Sequence, residues 1–102
     1  MRLPREIGPI HFVGIGGIGM SALARLLLAR GKKVSGSDKQ ASEITEELQQ
    51  LGADIHIGHG VNNFASAGCL VISTAIGADN PELLKAKELK IPIVHRSGQQ
   101  RV

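Results

Sequence analysis

The sequence predicts an α/β fold built on an open, parallel, five-stranded sheet with helices on both faces. Short apolar segments alternate with amphipathic segments at close spacing, which is typical of consecutive βαβ units. A glycine-rich stretch separates the first apolar segment from the first amphipathic one, where such folds make a tight turn. The 102 residues allow one domain and not two. We therefore expect a single Rossmann-like domain, residues 1–102, with an ordered core over about 10–96.

The elements follow one another without an internal repeat. The first two predicted helices are each followed by glycine, a usual helix stop, and Pro81 suits the first position of the third. The unbroken apolar segment at Cys69 favours a strand covered on both faces. Residues 58–68 show no clear helix and are predicted as a loop. We predict strands within Ile10–Ile15 and over Lys33–Ser37, Ala53–Ile57, Cys69–Ser73 and Ile91–Val94, and helices over Ile18–Arg30, Ala41–Leu51 and Pro81–Lys90.

Composition excludes several classes of protein. The net charge of +3 gives a mild preference for anionic ligands, but two Phe and no Trp or Tyr leave few side chains to stack on nucleic-acid bases. The longest apolar run, Ala22–Ala29, is interrupted by Arg25 and is far shorter than the ~20 residues of a membrane span. Cys69 is alone and cannot form an intramolecular disulfide, which favours a reducing compartment. We expect a cytoplasmic domain that binds neither nucleic acid nor membrane.

The glycine-rich stretch Gly14-Ile15-Gly16-Gly17-Ile18-Gly19 fits the pattern G-x-G-x-x-G between a predicted strand and a predicted helix. Glycines let the backbone turn sharply and let a diphosphate approach, while the N–H groups and the dipole of the helix start attract its charge. We expect the cradle at Gly16, Gly17, Ile18 and Gly19. A tight turn in which Gly19 only allows close helix packing is the alternative.

Asp38 stands at the end of the second predicted strand, about 20 residues after the last glycine. An acid at this position usually accepts hydrogen bonds from a ribose. The alternative is a turn or helix-capping residue. Spacing alone does not identify the nucleotide, so a nicotinamide-dinucleotide-binding module of a dehydrogenase or of a regulatory domain stays open beside other nucleotide-binding functions.

Several motifs in order resemble the N-terminal domain of the Mur ligases. They are His11-Phe12-Val13-Gly14-Ile15-Gly16-Gly17-Ile18-Gly19-Met20-Ser21, Gly36-Ser37-Asp38, Ser73-Thr74-Ala75-Ile76 and Asp79-Asn80-Pro81-Glu82. The resemblance spans about residues 10–96. It implies a domain that binds UDP-N-acetylmuramate for an ATP-dependent, amide-bond-forming ligase of peptidoglycan biosynthesis. It also implies a central domain for ATP and magnesium and a C-terminal domain for the amino acid, both absent from this chain.

The resemblance also implies the roles of individual residues. The glycine turn and Met20 would hold the diphosphate, and Ser37 and Asp38 would lie near the uridine. Ser73, Ala75 and Ile76 would line the other side of the crevice. Asn80 is open between a substrate contact and a cap of the following helix.

We assign no catalytic residue and no metal site to this chain. No G-x-x-x-x-G-K-[ST] motif is present, because Gly31-Lys32-Lys33 lacks the upstream glycine and the hydroxyl residue. His56 and His59 lack an evident third metal ligand. His59 is open between a phosphate contact and a surface loop residue. We expect His11 and His95 to be hydrogen-bonded core residues, Cys69 to pack as a small apolar residue, and Leu23, Leu26 and Leu27 to lie in the core.

Overall fold

A computed structural model of the chain describes residues 9–58, 68–73, 76–77 and 79–96. It confirms the predicted elements, with bounds that differ by up to two residues. The strands are β1 (Ile10–Val13), β2 (Val34–Asp38), β3 (Asp54–Ile57), β4 (Cys69–Ser73) and β5 (Ile93–Arg96), and the helices are α1 (Ile18–Ala29), α2 (Glu43–Gln50) and α3 (Pro81–Glu88). Residues 59–67, which hold most of the predicted loop and His59, lie outside the described part.

The five strands form one parallel sheet in the order β3-β2-β1-β4-β5, which confirms the predicted fold class. The chain moves outward from β1 to β3 on one side and then continues from β4 to β5 on the other. The direction of progression therefore reverses between β1 and β4. In open parallel sheets, ligands bind outside the carboxyl ends of the strands at this switch point.

Alternation along β1 and β2 divides the interior into two faces. Ile10 and Phe12 pack with α1 and α2, whereas Val13 packs with α3. On β2, Gly36 faces Ile15, and an added Cβ there would lie 2.5 Å from the Ile15 Cδ1 atom. A glycine is therefore required within this strand, because Ile15, two residues after β1, fills the space above it.

All three helices end in the same hydrogen-bonded turn. The residues after their caps, Gly31, Gly52 and Lys90, have φ of 79°, 112° and 60°. After α3, the Ile91 N–H donates to the Ala86 carbonyl at 2.9 Å, which closes the end of the helix. This turn ends α3 two residues before the predicted boundary. Lysine in the left-handed region gives little signal in the sequence, since glycine or asparagine normally stands there.

Two predictions of burial were wrong. Leu26 is 49% exposed, because it lies on the outer side of α1 while Leu27 faces the sheet. His95 is exposed as well, since β5 is an edge strand and pairs only with β4 within the described residues. Cys69 is fully buried, as expected. None of the described helices is both long and apolar enough to span a bilayer.

Candidate functional site

The glycine turn is held by the end of the neighbouring strand β2. The Ser37 carbonyl accepts hydrogen bonds from the backbone N–H groups of Gly14 at 2.8 Å and Ile15 at 3.0 Å. The Gly17 N–H donates to the Gly14 carbonyl at 3.1 Å, which closes the turn. Gly14 has φ of +82°, a conformation that side-chain-bearing residues rarely adopt. The turn is therefore a defined structure that depends on β2.

Asp38, the residue after Ser37 in β2, also supports the glycine turn. Its Oδ2 atom accepts a hydrogen bond from the Gly16 N–H at 2.8 Å. Its Oδ1 atom has a longer contact of 3.4 Å with the Gln40 N–H. Asp38 therefore makes a hydrogen bond of the kind expected for a turn residue and also lies beside the glycine turn. Asp38 is partly exposed, and the contact of its Oδ1 atom with Gln40 lies at the surface.

Gly16 and Gly17 differ in why they are glycines. A Cβ on Gly16 would lie 2.7 Å from Asp38 Oδ2, so the close approach of the carboxylate requires glycine there. A Cβ on Gly17 would meet nothing nearer than the Gly14 carbonyl oxygen at 3.5 Å, and its φ of −66° suits any residue. Gly17 is exposed. The packing around it therefore does not explain a glycine, whereas close approach by an outside ligand would.

The start of α1 differs from the starts of α2 and α3. The side chains of Ser42 and Asn80 cap α2 and α3, but α1 begins at Gly17 without a side-chain cap. Its first intrahelical bond runs from the Ser21 N–H to the Gly17 carbonyl at 2.8 Å. The N–H group of Ile18, in the first turn, thus precedes any intrahelical acceptor and lies at the positive end of the helix dipole. Ile18, in this turn, is 83% exposed.

The turn after β4 lies against the glycine turn. A Cβ on Gly14 would be 3.3 Å from the Ile76 Cδ1 atom, so these two turns touch across the switch point. Ser73 and Ile76 are partly exposed. Ala75, which was predicted to line the same side of the crevice, lies outside the described residues, as does Thr74. The structure thus brings together Gly16, Gly17, Ile18, Asp38 and Ile76 at one end of the sheet.

Three predicted site residues have side chains engaged inside the protein. Met20 is 3% exposed and packs in the core beneath α1, so only its backbone faces the helix start. Ser37 has no exposed surface, and its hydroxyl donates to Glu82. The Asn80 Oδ1 atom accepts from the N–H groups of Glu82 and Leu83 at 2.8 and 3.3 Å, which establishes the cap. A ligand contact by any of the three stays a prediction.

A buried polar cluster behind the turn was not predicted as a unit. Glu82 Oε1 lies 2.7 Å from His11 Nε2 and accepts from the Ser37 hydroxyl at 2.8 Å, and His11 Nδ1 lies 2.7 Å from the Ser35 hydroxyl. His11, Ser37 and Glu82 are fully buried, which confirms His11 as a hydrogen-bonded core residue. The alternation of Ser35 and Ser37 with Val34 and Gly36 in β2 was the available signal, but pairing with Glu82 requires the fold.

The arrangement is suited to holding an anion. It offers a backbone N–H group at an uncapped helix start and a glycine open to close approach. The Asp38 carboxylate at the adjacent strand end would repel such an anion and is suited instead to accepting a hydrogen bond. Within the described ranges, no group of three or more His, Cys, Asp or Glu residues could hold a metal ion. His56 lies 3.3 Å from Asp54 on the edge strand β3, away from the switch point.

The sequence pattern described as the Mur ligase family, catalytic domain, matches residues 9–99. The chain belongs to the Mur ligase family. Among relatives within this family, a UDP-N-acetylmuramate–L-alanine ligase of Rhodopseudomonas palustris is 57% identical over 97 residues, which are 95% of this chain and 21% of that protein. The chain thus spans about a fifth of the length of the curated relatives it matches.

Solved Mur ligases share the fold of this domain. A UDP-N-acetylmuramate–alanine ligase from Thermotoga maritima superposes with a TM-score of 0.83 at 40% identity, covering 86% of this chain and 20% of that one. A murein peptide ligase from Psychrobacter arcticus superposes with a TM-score of 0.79 at 25% identity, covering 85% and 18%. Both likenesses cover most of this chain and only a small part of the ligases.

Proposed function

We propose that this chain is the UDP-sugar-binding domain of an ATP-dependent UDP-N-acetylmuramate–L-alanine ligase of peptidoglycan biosynthesis. The observation that carries the proposal is Gly17, an exposed glycine at the uncapped start of α1 with no internal reason to be glycine. The names of its relatives within the Mur ligase family support the choice of UDP-N-acetylmuramate as the ligand. A reducing, cytoplasmic location is part of this proposal.

The diphosphate would lie over the turn and the first turn of α1. There the N–H group of Ile18 and the helix dipole would stabilise its negative charge. The uridine would lie towards Asp38, whose Oδ1 atom would accept a hydrogen bond from a ribose hydroxyl. The sugar would extend towards Ser73 and Ile76, across the switch point. Asp38 itself repels phosphate, so we place the diphosphate on the α1 side of the turn.

The domain would bind and orient its substrate and perform no chemistry alone. ATP and magnesium would bind on parts of the ligase that this chain does not include. There the muramyl carboxylate would take the terminal phosphoryl group of ATP, releasing ADP, and the amine of L-alanine would attack the resulting acyl phosphate and displace inorganic phosphate. Holding that carboxylate in line is the contribution left to this domain. Its affinity for the UDP-sugar should be weak, because fewer contacts offset the cost of ordering the ligand.

Parallel amide NMR titrations with UDP-N-acetylmuramate, UMP and NAD test this proposal. We expect saturable shifts at Gly16, Gly17 and Met20 with the UDP-sugar, and weaker binding of NAD. UMP should perturb the Asp38 end and leave the first turn of α1 less affected. Saturable NAD binding that displaces the UDP-sugar would instead favour a dinucleotide-binding module.

A further inference from the structure

The buried cluster defined by His11, Ser35, Ser37 and Glu82 joins two parts of the fold that meet at the switch point. Glu82 lies in the first turn of α3, which follows β4, whereas Ser37 lies at the end of β2. His11 Nε2 lies 2.7 Å from Glu82 Oε1. His11, Ser37 and Glu82 have 0% exposure. Such a cluster favours one geometry, since losing one of these contacts would leave a buried polar group without that hydrogen bond.

Ser37 connects this cluster directly to the glycine turn. Its hydroxyl donates to Glu82 at 2.8 Å, while its carbonyl accepts from the N–H groups of Gly14 and Ile15. The next residue, Asp38, accepts from the Gly16 N–H. Two consecutive residues of β2 therefore hold three consecutive N–H groups of the turn. Any shift of Ser37 along the strand would move the whole turn.

We propose that Glu82, fixed by His11, is a positioning residue that sets the glycine turn for phosphate binding through Ser37. The inference rests on the proposed function only for the identity of the bound phosphate. The contact path is short and continuous. The Glu82 carboxylate bonds to the Ser37 hydroxyl, and the carbonyl of the same serine bonds to the N–H groups of the turn. This path also links the element after β4 to the turn after β1, which together form the two sides of the crevice.

The variant pair Ser37→Ala and Ser35→Ala tests this inference. Both substitutions remove one hydroxyl from the same face of β2 and from the same cluster, but only Ser37 bonds to the glycine turn. We expect Ser37→Ala to weaken UDP-N-acetylmuramate binding by about fivefold, within the range seen for residues that couple to a site without touching its ligand. Ser35→Ala should lower the melting temperature and leave the affinity unchanged.

The same pair has a readout that needs no ligand. In the unliganded protein, Ser37→Ala should speed hydrogen exchange at Gly14 and Ile15 and shift the amide resonances of Gly16 and Gly17. Ser35→Ala should leave these signals as in the parent. If the parent binds no UDP-sugar, the proposed function fails, and these exchange rates still decide whether the cluster positions the turn.

Glu82→Gln separates position from charge, because the amide oxygen can still accept from His11 and Ser37. We expect the turn resonances of this variant to lie close to those of the parent, whereas Glu82→Ala should displace them. The inference is overturned if Ser37→Ala leaves both the turn and the affinity unchanged. It is also overturned if Ser35→Ala and Ser37→Ala reduce the affinity equally. A Glu82→Ala protein that fails to fold leaves the decision to the serine pair.

Discussion

The Asp38 carboxylate accepts a hydrogen bond from the backbone N–H of Gly16 at 2.8 Å, so an acid of the second strand holds the turn that follows the first. This contact gives Asp38 two separable tasks. One oxygen supports the glycine turn, and the other is directed to where we place the nucleoside. Removing the side chain therefore changes both ends of the site, and a variant that keeps one oxygen is needed to distinguish them.

Asp38→Asn and Asp38→Ala form that comparison. The asparagine keeps an oxygen for the Gly16 N–H but presents an amide N–H₂ where a ribose hydroxyl should donate, so UMP and the UDP-sugar should each lose about 1–2 kcal/mol of binding free energy. Pyrophosphate should bind Asp38→Asn at least as tightly as the parent, because the repelling charge is gone, and it should bind Asp38→Ala more weakly than Asp38→Asn, because only the alanine frees the turn. Calorimetric titrations measure all three ligands. Unchanged UMP affinity in Asp38→Asn would limit Asp38 to its role in the turn.

Asn80 caps α3, and a second capping residue provides its control. Asn80→Ala and Ser42→Ala each remove a side-chain acceptor from a helix start, so each should lower the free energy of unfolding by about 1 kcal/mol. Urea denaturation measures this loss. If Asn80 also contacts the UDP-sugar, only its variant should bind the ligand more weakly once both are compared well below their melting temperatures. Equal affinities of the two variants for the UDP-sugar would show that Asn80 caps α3 and does not contact the ligand.

Burial of Cys69 predicts a loss of stability at alkaline pH. Burial raises the pKa of the Cys69 thiol, so the unfolded thiol releases its proton at a lower pH than the folded one. The unfolded state then binds fewer protons, and the free energy of unfolding falls as the pH rises above roughly 8.5. Below that pH the thiol contributes no pH dependence.

Cys69→Ala supplies the matched measurement for this effect. Its free energy of unfolding should fall less steeply than that of the parent between about pH 8 and 10, because the thiol no longer titrates there. Groups that titrate in both proteins cancel in the difference. Parallel curves for the two proteins would show that Cys69 is not protected by the fold.

The sequence predicts the elements and the position of the glycine turn because both depend on local patterns, whereas it did not predict the strand order. Apolar alternation and helix stops such as Gly31 and Gly52 define the elements, and parallel connections place the turn at the switch point. The end of α3 was predicted less accurately, because Lys90 adopts the left-handed conformation and a lysine in the sequence does not indicate it. Exposure of Leu26 and His95 depends on which faces the neighbouring elements cover.

The interior of the site was predicted less well than its position. The sequence places Ser37 and Asp38 beside the turn, but it does not show that the Ser37 hydroxyl points into the protein towards Glu82. That contact joins residues 45 positions apart and depends on how α3 packs. Likewise, Gly16 and Gly17 are equivalent in the sequence, and only the position of Asp38 distinguishes their roles.

Gly17→Val tests most directly whether the turn holds a diphosphate. Because a Cβ on Gly17 has no close neighbour, the variant should keep the fold, and replacing glycine at the N-cap of α1 should lower its free energy of unfolding by about 1 kcal/mol. Ala29→Val, at the exposed far end of α1, is the control for a branched side chain in that helix. Titration of all three proteins with UDP-N-acetylmuramate measures the effect. We predict that Gly17→Val loses at least about 1.5 kcal/mol of binding free energy, one charge-assisted hydrogen bond, while Ala29→Val binds like the parent. A folded Gly17→Val protein with the affinity of the parent would contradict the account.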